Sequence, residues 1–164
     1  MPRSSTLVSP EPVGADAVAR AVAIVRDRLG ATGESPDFVL QPLDAGAALT
    51  VSADGDLVLT VLRPRPLAGL AEARRLRPGW KLDALPTPAF WTDAYTPWTP
   101  GGLIGIAVLD TLAESLGAQA FELGLLQGDE ALKLMGEAAT QEVRKSKGAS
   151  FRIDDKLCVS SRQD

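Results

Sequence analysis

Side chains able to do covalent or acid–base chemistry are few in this chain. None of its 164 residues is histidine, and one, Cys158, is cysteine. No imidazole is on hand to serve as a general base, so a Ser-His-Asp arrangement and a Cys/His zinc site are both excluded. Carboxylates pair at Asp54/Asp56, Asp110/Glu114, Asp129/Glu130 and Asp154/Asp155. Such pairs can hold a divalent cation or divide acid and base roles, but none has the spacing of an EF-hand loop. Each also has a plainer use. Asp54/Asp56 and Asp154/Asp155 suit turns, Asp110/Glu114 suit a solvated helix face, and Asp129/Glu130 suit the positive end of a helix dipole. Gly101-Gly102-Leu103-Ile104-Gly105 opens a predicted helix, yet it lacks the G-x-G-x-x-G spacing and no Gly-Lys-Ser/Thr follows. The glycines fit close approach of a helix to a sheet better than a phosphate cradle. No serine lies in a G-x-S-x-G elbow or an S-x-x-K sequence. Cys158, in an apolar run with no histidine to activate it, reads as an inert thiol. The inventory points away from an enzyme and calls for no metal or cofactor.

The segment Phe90-Trp91-Thr92-Asp93-Ala94-Tyr95-Thr96-Pro97-Trp98 holds two of the three tryptophans and the only tyrosine. In an extended strand alternate residues face opposite ways, so Trp91, Asp93 and Tyr95 share one face and Phe90, Thr92 and Ala94 the other. Two readings of the aromatic face follow. Aromatic rings beside a carboxylate can anchor a partner, as interface hot spots do. Alternatively, Trp91 and Tyr95 pack under a helix and Asp93 pairs with an arginine, since large aromatics are highly buried on average. Trp98, in a proline-flanked loop, is the aromatic most suited to exposure.

The elements that must position these residues can be read from periodicity and punctuation. Residues 1–13, rich in Ser and Pro, read as a flexible N-terminal arm. From Asp16, Val18, Ala21, Val22, Val25 and Leu29 recur on one helical face, and Gly30 and Gly33 end the run. Three strands are predicted at Phe38–Leu40, Ala48–Ser52 and Leu57–Leu62. Asp44-Ala45-Gly46 and Ala53-Asp54-Gly55-Asp56 supply the turns between them. Pro64 and Pro66 are expected to stop pairing, because proline has no N–H for a ladder. A short helix over 67–77 and a strand over Phe90–Tyr95 follow. Thr99 is a candidate cap, with Pro100 at the first position of a helix over Gly101–Leu116. Its apolar stripe is Ile104, Val108, Leu112 and Leu116. A strand near Ala118–Leu123, a helix opening at Asp129, and short strands at Phe151–Ile153 and Leu157–Val159 complete the reading. The fold expected is α+β: a largely antiparallel sheet of about five strands with three or four helices, a two-layer sandwich forming one domain over 14–160.

Charge falls in blocks. Residues 1–62 carry a net −4, residues 63–81 a net +5, residues 82–143 a net −8 and residues 144–156 a net +3, within a total of −4. If these blocks become patches, the −8 stretch attracts a basic partner and repels nucleic acid; if not, they are ordinary solvated faces. Arg74, Arg75 and Arg77 are not interleaved with aromatic rings, so single-strand nucleic-acid binding is not expected. The longest apolar stretch, Leu103–Leu109, is far short of the ~20 residues a spanning helix needs, so no membrane segment is expected. Leu7-Val8 is too short for a secretory apolar region, and a lone cysteine forms no internal disulfide, so a cytoplasmic location is expected.

In size and charge over the whole chain, though not in any diagnostic motif, the profile is similar to that of small immunity proteins of bacterial toxin–immunity systems. That resemblance implies a cytoplasmic protein that neutralises a toxin by binding it, and a monomer or weak dimer is expected. The function expected is a non-enzymatic binding module whose acidic, aromatic-bearing surface, Trp91, Asp93, Tyr95, Trp98, Asp110 and Glu114, takes a basic protein partner. Two other classes stay open. A secretion chaperone or adaptor requires an exposed apolar groove beside the helix at 103–116, and a small-molecule binder or carboxylate-dependent enzyme requires Asp93 and an arginine in a cleft.

Overall fold

The computed structural model describes residues 2–33, 36–78 and 84–121. The expected features at Asp129/Glu130, Asp154/Asp155, Cys158 and the segments after Phe121 lie outside the described residues.

The described residues are built on an antiparallel sheet in the order β2-β3-β4-β6-β1-β7. Its strands are β1 Arg3–Ser9, β2 Phe38–Leu43, β3 Ala48–Ala53, β4 Asp56–Leu62, β6 Phe90–Thr96 and β7 Gln119–Phe121. A two-residue strand β5, Arg65–Pro66, pairs with Phe90 and Trp91 of β6. The helices are α1 Ala15–Ala31, α2 Leu70–Leu76 and α3 Gly101–Leu116. The fold is α+β, as its pattern of hairpins and helical crossovers led one to expect, with six long or short strands and β5 in place of about five.

The N-terminal segment is corrected outright. Arg3–Ser9 is no arm but an inner strand, paired with β6 on one side and β7 on the other. Ser5, Thr6, Leu7, Val8 and Ser9 are all buried. Burial of these hydroxyls is accommodated by pairing: Thr6 donates to Asp93 Oδ1 and Ser9 to the Glu11 carbonyl.

Turn chemistry places the β2-β3-β4 meander. Asp44, Ala45 and Gly46 all have positive φ between β2 and β3, and Asp54 and Gly55 do so between β3 and β4. Asp54 Oδ1 also accepts the Asp37 N–H at 2.8 Å, which gives that carboxylate a turn-locking role. Pairing lapses after Leu62, as Pro64 predicts, but resumes at Arg65–Pro66, contrary to the expectation for Pro66. Proline is tolerated in so short an end segment because little N–H donation is required of it.

α3 covers one face of the sheet and carries α1 as its neighbour in the same layer. Ile104, Ile106, Ala107, Val108, Leu109, Leu112 and Ala113 are buried, as are Val18, Ala21, Val22, Val25 and Leu29 of α1. α3 seats closely for a stated reason. A bulge between the Val51 and Ser52 pairings leaves Val58 between the paired Leu57 and Leu59. A Cβ on Gly105 would lie 2.1 Å from the Val58 carbonyl oxygen, and one on Gly102 would lie 1.9 Å from that of Pro97. Glycine is required at both by the approach of backbone to backbone. The helix ends as its pattern predicts, at Gly117 in the left-handed region. Its start differs: Pro100, not Thr99, is the N-cap residue, and no side chain caps the turn. Thr99 instead offers its backbone carbonyl to the Gly102 N–H at 2.9 Å.

α2 packs on the opposite face. Ala73 joins Val8 and Trp91 in a buried cluster, flanked by Leu67, Leu70, Leu76, Leu85 and Phe121. Among the described residues the sheet thus has a two-helix layer on one side and one short helix over part of the other.

Candidate functional site

β6 sorts the aromatic segment as its alternation predicts. Thr92, Ala94 and Thr96 are buried on the α3 side, and Trp91, Asp93 and Tyr95 face the other way. Register across the sheet extends that second face. Tyr95 lies between Ser4 of β1 and Thr60 of β4, and Thr60 continues to Thr50 of β3 and Gln41 of β2. On β2 and β3 the neighbouring pair on this face is Ala48 and Leu43. Ser52 pairs with Leu57 and with Val39, adding a third row.

Coverage of this face is partial. α2 shields its β6-β1-β7 end, where Trp91 is 2% exposed. Beyond α2 the sheet opens, with Tyr95, Thr60, Thr50 and Ser52 half-buried and Gln41 exposed. Val39, Leu43 and Leu57 are exposed by 51%, 44% and 49%. The three share one face of the sheet, with Ser52 between Val39 and Leu57 and Gln41 between Val39 and Leu43, so apolar and polar side chains alternate across it.

Asp93 sits at the border of the covered and open parts. Its Oδ1 accepts the Thr6 hydroxyl at 2.9 Å and the Trp91 indole N–H at 2.9 Å. Its Oδ2 lies 3.8 Å from an Arg65 guanidinium nitrogen, and the same guanidinium stands 5.5 Å from the centre of the Trp91 ring. Oδ1 is thereby committed to holding a buried indole and a buried hydroxyl, which is structural work. Of the two readings of this segment, packing under a helix with an arginine partner describes Trp91 and Asp93. It does not describe Trp98, which is 67% exposed with the Arg3 guanidinium 4.2 Å above its ring.

The six residues expected to form one acidic, aromatic surface do not meet. Trp91, Asp93 and Tyr95 share the face opposite α3, and Trp98 follows at the end of β6. Asp110 and Glu114 are on α3, in the layer on the other side of the sheet. Adjacency in the −8 stretch failed to become adjacency in space because the chain crosses the sheet between β6 and α3. The charged partner of Asp93 is instead a residue of the basic block, Arg65. Arg65, Thr6 and Arg3 were not singled out from sequence, and no spacing signal could have found them, since each meets its partner through strand pairing. In the sequence Leu57 is an ordinary strand residue, and the bulge at Val58 sets which face it takes.

Beside α3, where the chaperone reading requires an apolar groove, Ile104 and Ile106 to Leu109 are buried. Among the described residues no group of three His, Cys, Asp or Glu side chains is placed to hold a metal ion. No described helix is long and apolar enough to cross a membrane. The chain matches no protein-family model, no curated protein and no solved structure.

Proposed function

We propose that this protein is a non-enzymatic binding module that seats a protein partner on the open part of its sheet, beside α2. The observation that carries this reading is the exposed trio Val39, Leu43 and Leu57, set against the half-buried row Tyr95, Thr60 and Thr50. Aliphatic side chains over a hydroxyl-bearing sheet offer dry contact area together with donors and acceptors for a polar rim. Trp98, stacked under Arg3 at the end of β6, supplies an amphipathic anchor.

The partner class proposed is a basic protein, and a toxin domain held by its immunity protein is the concrete form. Asp110 and Glu114 lie outside the contact face, so charge acts here through the field of the whole molecule, whose net is −4. Such a field speeds encounter without its residues entering the interface.

The test is affinity capture from the native host with the wild-type chain and with two face variants, Leu43→Glu and Thr60→Arg. A stoichiometric basic protein retained by the wild type and lost from both folded variants supports the reading. Retention unaffected by either substitution refutes it.

A further inference from the structure

A groove of 340 Å³ lies between the first turn of α1 and the adjoining ends of β2, β3 and β4. Its walls include Val13, Val18, Pro42, Leu49 and Val61, and Arg63 is the one charged residue that lines it. No lining residue is aromatic, and no lining side chain other than Arg63 carries a hydrogen-bonding group. Arg63 is exposed, and among the described residues its side chain enters no ion pair. The volume falls in the range of small-molecule sites, about 300–1,000 Å³.

We infer that this groove binds a short unbranched aliphatic carboxylate, its chain along the aliphatic walls and its carboxylate on Arg63. The lining dictates that class. A ligand with several polar atoms would set them against aliphatic side chains, among which only Arg63 can pair with them, and each group left unpaired would weaken binding. A single terminal anion meets the single free cation, and guanidinium is suited to carboxylate through parallel N–H donors. An aliphatic amine of the same length would place its charge against Arg63 and is excluded on the same ground. This site is separate in its chemistry from the proposed protein contact and does not depend on it.

The experiment is a titration of the full-length ¹⁵N-labelled protein with octanoate, read by amide shifts, with octylammonium and 1-octanol as companion ligands. Octanoate is expected to give saturable shifts centred on Gly14, Ala15, Gly46 and Arg63, with 1-octanol weaker and octylammonium weakest. Arg63→Gln is expected to weaken octanoate by roughly fivefold, the size of an exposed ion pair, and to leave 1-octanol unchanged. Ala15→Leu, which fills the groove from an exposed position, is expected to abolish the shifts for both ligands. Shifts that do not saturate, octylammonium binding as well as octanoate, or octanoate binding indifferent to Arg63→Gln would each overturn the inference.

Discussion

The indole N–H of Trp91 donates to Oδ1 of Asp93, two residues further along the same strand, at 2.9 Å. Same-face neighbours on a strand are thus joined by their side chains, and Thr6 from β1 closes the arrangement with its own hydroxyl on the same oxygen. A carboxylate placed between rings on a strand is therefore the acceptor that allows an indole to be buried under α2. Removing it separates two kinds of energy. Asp93→Ala leaves the Trp91 N–H and the Thr6 hydroxyl without their acceptor and is expected to cost about 2–3 kcal/mol. Asp93→Asn can keep an oxygen toward both donors and loses only attraction to Arg65, whose side chain is 51% exposed. Its cost is expected to stay below about 1 kcal/mol. Urea unfolding of both variants checks this, and equal losses would show that Oδ1 is not the critical acceptor.

The two tryptophans of the same segment should behave oppositely. Trp91 is buried in the cluster with Val8 and Ala73, so Trp91→Ala is expected to cost about 3–5 kcal/mol. Trp98 is mostly exposed, and its folded-state contact is the stacked Arg3 guanidinium. Trp98→Ala is expected to cost no more than about 1 kcal/mol, the scale of an exposed cation–π pair. Thermal melts of the two variants side by side check this, and equal losses would show that the two rings are not differently buried.

Glycine substitutions test how closely α3 approaches the sheet. Gly105→Ala drives a methyl group to 2.1 Å from the Val58 carbonyl and 2.8 Å from Thr96 Cγ2. Backbone cannot step aside as a side-chain tip can, so a loss near the upper end of the 1–3 kcal/mol range for overpacking is expected. Gly30 lies within α1 with nothing inside 4 Å of an added Cβ. Gly30→Ala should therefore stabilise the protein by about 0.5–1 kcal/mol through helix propensity and lost unfolded-state freedom. A mild Gly105→Ala would mean that α3 does not sit against the bulge.

Deletion of residues 2–9 addresses the segment where sequence and structure diverge most. β1 joins β6 to β7 and buries Leu7 and Val8 completely. The shortened chain is expected to lose its cooperative unfolding transition, monitored by near-ultraviolet circular dichroism. A preserved transition would restore the reading of this segment as a loose arm.

That divergence shows which kinds of information the sequence carried. Local signals were dependable. The hairpin turns at Asp44-Ala45-Gly46 and Asp54-Gly55, the stripe Ile104-Val108-Leu112 and the stop at Gly117 all act through neighbouring residues, and the structure contains each of them. β1 has two large apolar residues among serines and threonine, so it shows neither alternation nor an apolar run. Its burial comes from pairing with β6, more than eighty residues away in the chain. The candidate site divides the same way. Alternation gave the shared face of Trp91, Asp93 and Tyr95. That α2 covers Trp91, that Arg65 meets Asp93, and that Asp110 and Glu114 lie across the sheet depend on strand order, which periodicity does not encode.

The open sheet face yields the prediction most directly tied to function. Leu43 and Thr60 lie on that face away from the Trp91 cluster, one exposed and the other half-buried, and neither supports a buried hydrogen bond among the described residues. Leu43→Glu and Thr60→Arg should accordingly leave stability within about 1 kcal/mol of wild type, as substitutions away from the core do. Each places a charge on the aliphatic and hydroxyl contact face, where a bound partner would have to desolvate it. For a charge buried without a partner the expected loss of affinity is at least tenfold, or about 1.4 kcal/mol. Glu114→Lys, on α3 behind the sheet, should act differently. It changes net charge by two without touching the contact, so it should slow association in low salt and leave dissociation unchanged. Stopped-flow or surface-binding kinetics against the captured partner separates these outcomes. Faster dissociation from Glu114→Lys, with none from Leu43→Glu, would move the contact from the sheet to the helical layer.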